Sequence, residues 1–171
     1  MITIKIATTE DAALLSQVGK VTIMQSHGHS APEKDMHSYR DDNFSLDSIK
    51  KELSDSNNLY YILYYDKKVA GYSKIILNSP NQNITDKNIT MLERLYVLEE
   101  FHNLKLGFEL LQYNINIAKS NGQIGIWLNV WVENKRAINF YKKIGFTVSG
   151  EYSFRVSATH SNPNYQMFLA F

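Results

Sequence analysis

The sequence predicts an α+β fold: one mixed sheet of about seven strands flanked by about four helices. Three observations carry that expectation. The 171 residues, with ordinary apolar content, suffice for one domain with a sizeable core. Segments of period two and segments of helical period interleave, in the order strand, two helices, three strands, helix, strand, helix, two strands. No repeat, low-complexity tract or linker interrupts them.

The elements follow in chain order. ITIKIA alternates and starts the sheet. Thr8, with Asp11 three residues on, forms a capping box for a helix running to about Met24. Residues 26–44, SHGHSAPEKDMHSYRDDNF, are polar and mixed and read as a loop carrying a short helical piece. Ser45 caps LDSIKKELSDS, whose Leu46, Ile49 and Leu53 share one side. NLYYILYY and VAGYSKIIL are β-rich runs joined across DKK, a hairpin signal. NSPNQNITDKN is a polar loop, and ITMLERLYVL is the fourth strand. Gly107 then opens an amphipathic run with Phe108, Leu111, Ile115 and Ala118 on one face, ended by Gly122 at C′. IGIWLNVWV is a strand, ENKRAINFYKKIGF a short helix closed by Gly145, and FTVSGEYSF and YQMFLAF the last strands.

Charge and composition exclude several classes of function. The net charge of +1 gives no case for nucleic acid. Its distribution is uneven: acids dominate residues 33–55, and bases dominate residues 101–150. Glu33, Asp35, Asp41 and Asp42 are suited to attract a cation, or form a solvated acidic loop. The chain has no cysteine, which removes thiolate nucleophiles, disulfides and zinc–thiolate sites and fits a reducing compartment. MITIKIATTEDAALL lacks a secretory pattern, and no apolar run reaches membrane-spanning length, so a cytoplasmic protein without a membrane partner is expected. His27 and His29 flank Gly28 without further ligands at compatible spacing, so no metal is expected, and their loop is placed near the substrate. Trp127 and Trp131 share a strand face and read as core or cleft packing.

LERLYVLEEFHNLKLGFELL, followed by NVWVENKRAINFYKKIGF, resembles the two acetyl-CoA motifs of the GCN5-related N-acetyltransferases (GNAT). The second motif is the more specific: Asn134, then Ala137, Phe140, Tyr141, Lys143, Gly145 and Phe146. Scattered positions in MHSYRDDNFSLDSIKKEL, VAGYSKI and the second motif resemble the bacterial spermidine/spermine N-acetyltransferases. The resemblance implies a mostly antiparallel sheet, acetyl-CoA as donor and direct attack by a primary amine in a ternary complex. Polyamines come first among the acceptors, and a homodimer through the C-terminal strands is a further implication. The family's pyrophosphate loop corresponds here to His102, Lys105 and Gly107, and only Gly107 fits its pattern. A side chain at 105 hinders close backbone approach. The amides of Leu104 to Phe108 still lie at a helix N-terminus, where an anion is favoured. The resemblance thus implies a cofactor loop of His102, Asn103, Leu104, Lys105, Leu106, Gly107 and Phe108, with His102 as a hydrogen-bond donor to the anion.

Moving an acetyl group to an amine requires deprotonating an ammonium of pKa about 10, polarising a thioester carbonyl and protonating a thiolate. By resemblance Tyr141 is the acid; its alternative is a core aromatic. Glu93 is the expected base, directly or through water; Met91, Glu93, Leu95 and Val97 share a strand face, so a carboxylate among apolar neighbours is expected. Its alternatives are an acid paired with a nearby base or a contact for a cationic substrate. The resemblance implies that Leu95, Tyr96 and Val97 act through their backbone against the cofactor arm. Asn134 binds that arm or caps its helix, and Ala137 belongs to the same motif. Lys143 reaches the nucleotide phosphates or is a solvated lysine. Two other readings stay open: acetylation of a protein N-terminus or lysine, and a non-catalytic acyl-CoA sensor.

Overall fold

The computed structural model describes residues 1–171. Its strands are β1 (Ile2–Ile6), β2 (Asn58–Tyr65), β3 (Lys68–Ile76), β4 (Thr90–Val97), β5 (Gly125–Trp131), β6 (Thr147–Arg155) and β7 (Ser161–Ala170). They form one sheet ordered β1-β2-β3-β4-β5-β7-β6. Every neighbouring pair is antiparallel except β4–β5. The helices are α1 (Ala12–His27), α2 (Glu33–Phe44), α3 (Leu46–Ser54), α4 (Leu106–Ser120) and α5 (Lys135–Ile144). The seven expected strands form as the sequence indicates, with five helices in place of the expected four.

The additional helix is α2, where a loop with a short helical piece was expected. Its sequence is polar, and only Met36 and Phe44 are buried. Tertiary contact makes up for that weak pattern. Phe44 packs so closely on α1 that a Cβ at Gly19 would lie 2.4 Å from its ring, and Ser16 Oγ donates to the Phe44 carbonyl at 2.5 Å. Glu33 and Asp35 in the first turn complement the helix dipole. The β2–β3 hairpin turns on Asp66 and Lys67, at φ 46° and 67°, the left-handed pair that matches strand twist.

Helices α1–α3 cover one face of the sheet over Tyr60, Ile62 and Tyr72. Helices α4 and α5 cover the other over Leu63, Ile75, Leu92 and Leu128. On α4 the buried face is Leu106, Leu110, Leu111, Ile115 and Ala118; Phe108, expected on it, is 42% exposed. The helix starts at Leu106, which turns Phe108 away from the sheet. The parallel strands β4 and β5 pair only at Thr90↔Ile126 and Met91↔Trp127, then diverge toward their C-terminal ends. That divergence positions the site.

Candidate active site

A cleft of about 1290 Å³ opens where β4 and β5 part. Both expected catalytic residues, Glu93 and Tyr141, line it. So does every residue expected to hold the cofactor except Leu104, which is 43% exposed to solvent.

One end of the cleft is built to receive an anion. After β4, Asn103 and Lys105 adopt φ of 67° and 59°, so two residues with side chains take the left-handed conformation usually left to glycine. Lys105 is the N-cap of α4. The backbone N–H groups of residues 103–107 donate to no carbonyl or side chain. They stand at the positive end of a 15-residue helix, a donor set that fits a pyrophosphate. Lys105, Arg136 and Lys143 bring positive charge to the same cleft.

His102 does not serve as the expected donor to the anion. Its Nε2 is 2.9 Å from the Val97 carbonyl and its Nδ1 2.8 Å from the Arg136 guanidinium. Arg136 donates and Val97 accepts, so both ring nitrogens are engaged in the neutral Nε2–H tautomer. His102 therefore orients Arg136, a residue that sequence reasoning left unassigned. The available signal was its place two residues after Asn134, at the start of α5.

The middle of the cleft holds Glu93, in surroundings unlike those expected. The β3–β4 register passes from Lys74↔Arg94 to Ile75↔Leu92, leaving Glu93 as the extra residue of a β-bulge. Strict alternation ends there. Leu92 joins the core under α4, whereas Arg94 stacks over Phe44 on the opposite face, 4.5 Å from the ring centroid. The carboxylate consequently meets bases rather than apolar side chains. The buried Lys74 ammonium contacts it directly, and Arg94 Nε is 3.9 Å away.

Glu52 of α3 closes the network. Lys74 Nζ is 2.9 Å from it and Arg94 3.3 Å. The Tyr60 hydroxyl donates to Glu52 and accepts from Arg94 at 2.6 Å. Burial alone would raise the Glu52 pKa, but Arg94, Tyr60 and Lys74 outweigh it and hold the carboxyl below the usual range. Two buried cations thus balance two carboxylates. Sequence reasoning missed Lys74 and Glu52; the signal at Lys74 was a lone charge within the apolar run VAGYSKIIL.

Tyr141 packs its ring between Phe140 and Phe146, with centroids at 5.2 and 5.4 Å, so it is both a core aromatic and a cleft residue. Its hydroxyl makes no hydrogen bond within the protein, and the residue, 8% exposed, lines the cleft. Burial pushes the phenol well above its ordinary pKa, so it carries its proton at neutral pH. Asn134 caps α5 by accepting from the Ala137 N–H at 3.2 Å, which engages its Oδ1. On the β5 wall Asn129 Oδ1 is buried without a partner, an acceptor free for a ligand N–H. His27 ends α1 and, with His29, packs against Trp131. Burial first, and His29 second, lowers the His27 pKa to about 4, so its ring is neutral.

A mixed sheet parted between β4 and β5, with free amides opening a helix beside the gap, defines an acyl-transferase architecture. Residues 21–146 match the acetyltransferase (GNAT) family, and the chain belongs to that family. It is 30% identical over 132 residues to an uncharacterized N-acetyltransferase of Mycobacterium tuberculosis, covering 77% of this chain and 80% of that one. Its fold is similar to that of the PaiA N-acetyltransferase from Thermoplasma acidophilum in complex with coenzyme A, with a TM-score of 0.79, 22% identity and coverage of 100% and 99%. It is also similar to the ribosomal-protein-S18-alanine N-acetyltransferase from Escherichia coli, with a TM-score of 0.68, 19% identity and coverage of 99% and 94%. The protein is an N-acetyltransferase that uses acetyl-CoA. No helix is long and apolar enough to cross a membrane.

Proposed function

We propose that this enzyme acetylates a primary amine by direct attack, with Glu93 as base and Tyr141 as acid. One observation carries the reading: a single cleft is lined by a carboxylate at a strand bulge and by an unpartnered tyrosine hydroxyl. Acetyl-CoA, when bound, supplies a thioester carbonyl for the amine to attack. The amides of residues 103–107, with Lys105, Arg136 and Lys143, hold its phosphates, and Leu95–Val97 present β4 backbone to its extended arm. Glu93 takes a proton from the ammonium, which frees the nitrogen lone pair that attacks the carbonyl carbon. Tyr141, loaded with its proton, supplies one to the sulfur as the C–S bond breaks. With no cysteine in the chain, no cysteinyl acyl-enzyme forms.

The polyamine expectation came from the resemblance to spermidine/spermine N-acetyltransferases, with Glu33, Asp35, Asp41 and Asp42 as candidate cation contacts. None of them lines the cleft, and Asp41 is paired with Arg40 at 2.8 Å. The acceptor is accordingly proposed as a primary amine without restriction to polyamines. A cytosolic setting and a dimer along β6, the strand at the sheet edge, belong to the same reading. The test is thiol release from acetyl-CoA with a panel of amines, read without background because the protein has no thiol. Amine-dependent release supports the reading. Acetyl-CoA binding without release to any amine or peptide overturns it in favour of a sensor.

A further inference from the structure

We infer that the acceptor end of the cleft is shaped for a monocationic amine carried on an aromatic body, and that it disfavours polycations. This deepens the proposed amine acetylation and rests on it.

Charge supplies the first argument. Three carboxylates line the cleft: Glu52, Glu93 and Glu99. Glu99 follows β4 on the turn that leads to the anion loop, and its N–H donates to Gln25 Oε1 of α1. Glu52 and Glu93 are each in contact with Lys74, and Arg94 lies against both. The acceptor end is thus electrically balanced before any substrate arrives. His27 adds no charge, being neutral. A single ammonium can give its proton to Glu93 and react as the neutral amine. Beside Glu93, the remaining ammoniums of a triamine or tetramine would meet a carboxylate, Glu52, already paired with Lys74 and Arg94. Cation–π contacts do not replace a free carboxylate.

Shape supplies the second argument. Tyr39 of α2 meets Phe154 of β6 edge to face, with centroids 5.8 Å apart, and Phe154 in turn contacts Tyr152 at 6.5 Å. These rings come from α2 and β6, and all three line the cleft. Tyr39, Glu93, Glu52 and Arg94 all line the one cleft, so the aromatic wall and the proposed base share it. Trp131 lines the same cleft from β5. An aryl group one or two carbons from its amine would stack on this wall with the nitrogen directed toward Glu93.

The experiment is calorimetric binding of 2-phenylethylamine, n-butylamine and spermidine to the full chain saturated with coenzyme A, with thiol release from acetyl-CoA measured in parallel. Phenylethylamine is expected to bind at least ~10-fold tighter than either other amine, a difference within the reach of one buried ring. Tyr39→Leu and, independently, Phe154→Leu should each weaken it several-fold while leaving spermidine unchanged. Phe154 lies on an edge strand, so its variant guards against misfolding of the α2 variant. Spermidine binding as tightly as phenylethylamine, phenylethylamine no better than butylamine, or no binding by any amine overturns the inference. Tight phenylethylamine binding without thiol release leaves the pocket standing and overturns the transfer reading instead.

Discussion

The Lys74 ammonium contacts the Glu93 carboxylate and lies 2.9 Å from Glu52, so one buried cation fixes the position of the proposed base. Glu93→Gln should lower kcat by about 10²–10⁴-fold, the usual worth of a positioned base. The KM for acetyl-CoA should stay within about twofold, because no cofactor contact is changed. Lys74→Met should lower kcat at least ~10-fold and destabilise by about 3–5 kcal/mol, since it leaves two carboxylates with one cation. Lys74→Arg should recover part of the activity. Steady-state kinetics and denaturant melts check each point; full activity in Glu93→Gln would remove Glu93 as the base.

Tyr141→Phe deletes a hydroxyl that bonds to nothing in the protein. Stability should therefore change by less than about 1 kcal/mol, whereas kcat should fall about 10²-fold or more. Because burial raises this phenol above the ordinary tyrosine value, its loss should remove no basic limb below about pH 10 from the rate profile. Equal losses of stability and rate would make the residue a packing element only.

The His102–Arg136 hydrogen bond should show as coupling. Arg136→Ala and His102→Phe should each raise the KM for acetyl-CoA. The double variant should be no worse than Arg136→Ala alone, within about 0.5 kcal/mol, because His102 acts through Arg136. Strict additivity would return His102 to a direct contact with the cofactor.

Lys105 bears on a different balance. A left-handed conformation costs a non-glycine residue about 1–2 kcal/mol. Lys105→Gly should therefore leave stability unchanged or slightly raised, after about 0.5–1 kcal/mol is lost to the more flexible unfolded chain. Lys105→Val, β-branched at positive φ, should both destabilise and weaken acetyl-CoA binding. Thermal melts with and without coenzyme A separate the two effects.

His27 sets a pH dependence of stability. Its pKa is pushed down to about 4, while the unfolded chain protonates at an ordinary 6.5. Between those values the unfolded state binds the extra proton, so stability falls as pH drops through this window and is fully present above it. The contribution lost by about pH 4.5 is roughly 2–3 kcal/mol. Melts of the wild type and of His27→Gln should therefore converge by several degrees on going from about pH 7.5 to about pH 4.5.

Much of this architecture is readable in the chain. Alternation marks β1, and β-rich apolar runs mark β2, β3 and β5, whose consecutive residues are buried; Gly122 and Gly145 mark helix ends because both take positive φ. The helix start with its free amides is readable because such a feature depends on backbone more than on side chains. What escapes is tertiary in origin. Helix α2 has two buried residues in twelve, too few for a period, and forms because Phe44 finds space over Gly19. The bulge at Glu93 carries no local signature, so counting by twos puts the carboxylate among the wrong neighbours. Lys74 and Glu52 lie 22 residues apart in the chain and meet only when α3 packs across β3.

The parting of β4 from β5 leaves an edge in the middle of a sheet. Edges elsewhere in proteins invite further strands and hence aggregation. This one is recessed between helical layers, so a folded partner's strand is too bulky to reach it, while a slim amide-bearing chain is not. An extended ligand there completes the sheet much as a missing strand would. Loading should slow amide exchange along the C-terminal half of β4, making the ligand in effect a removable piece of secondary structure.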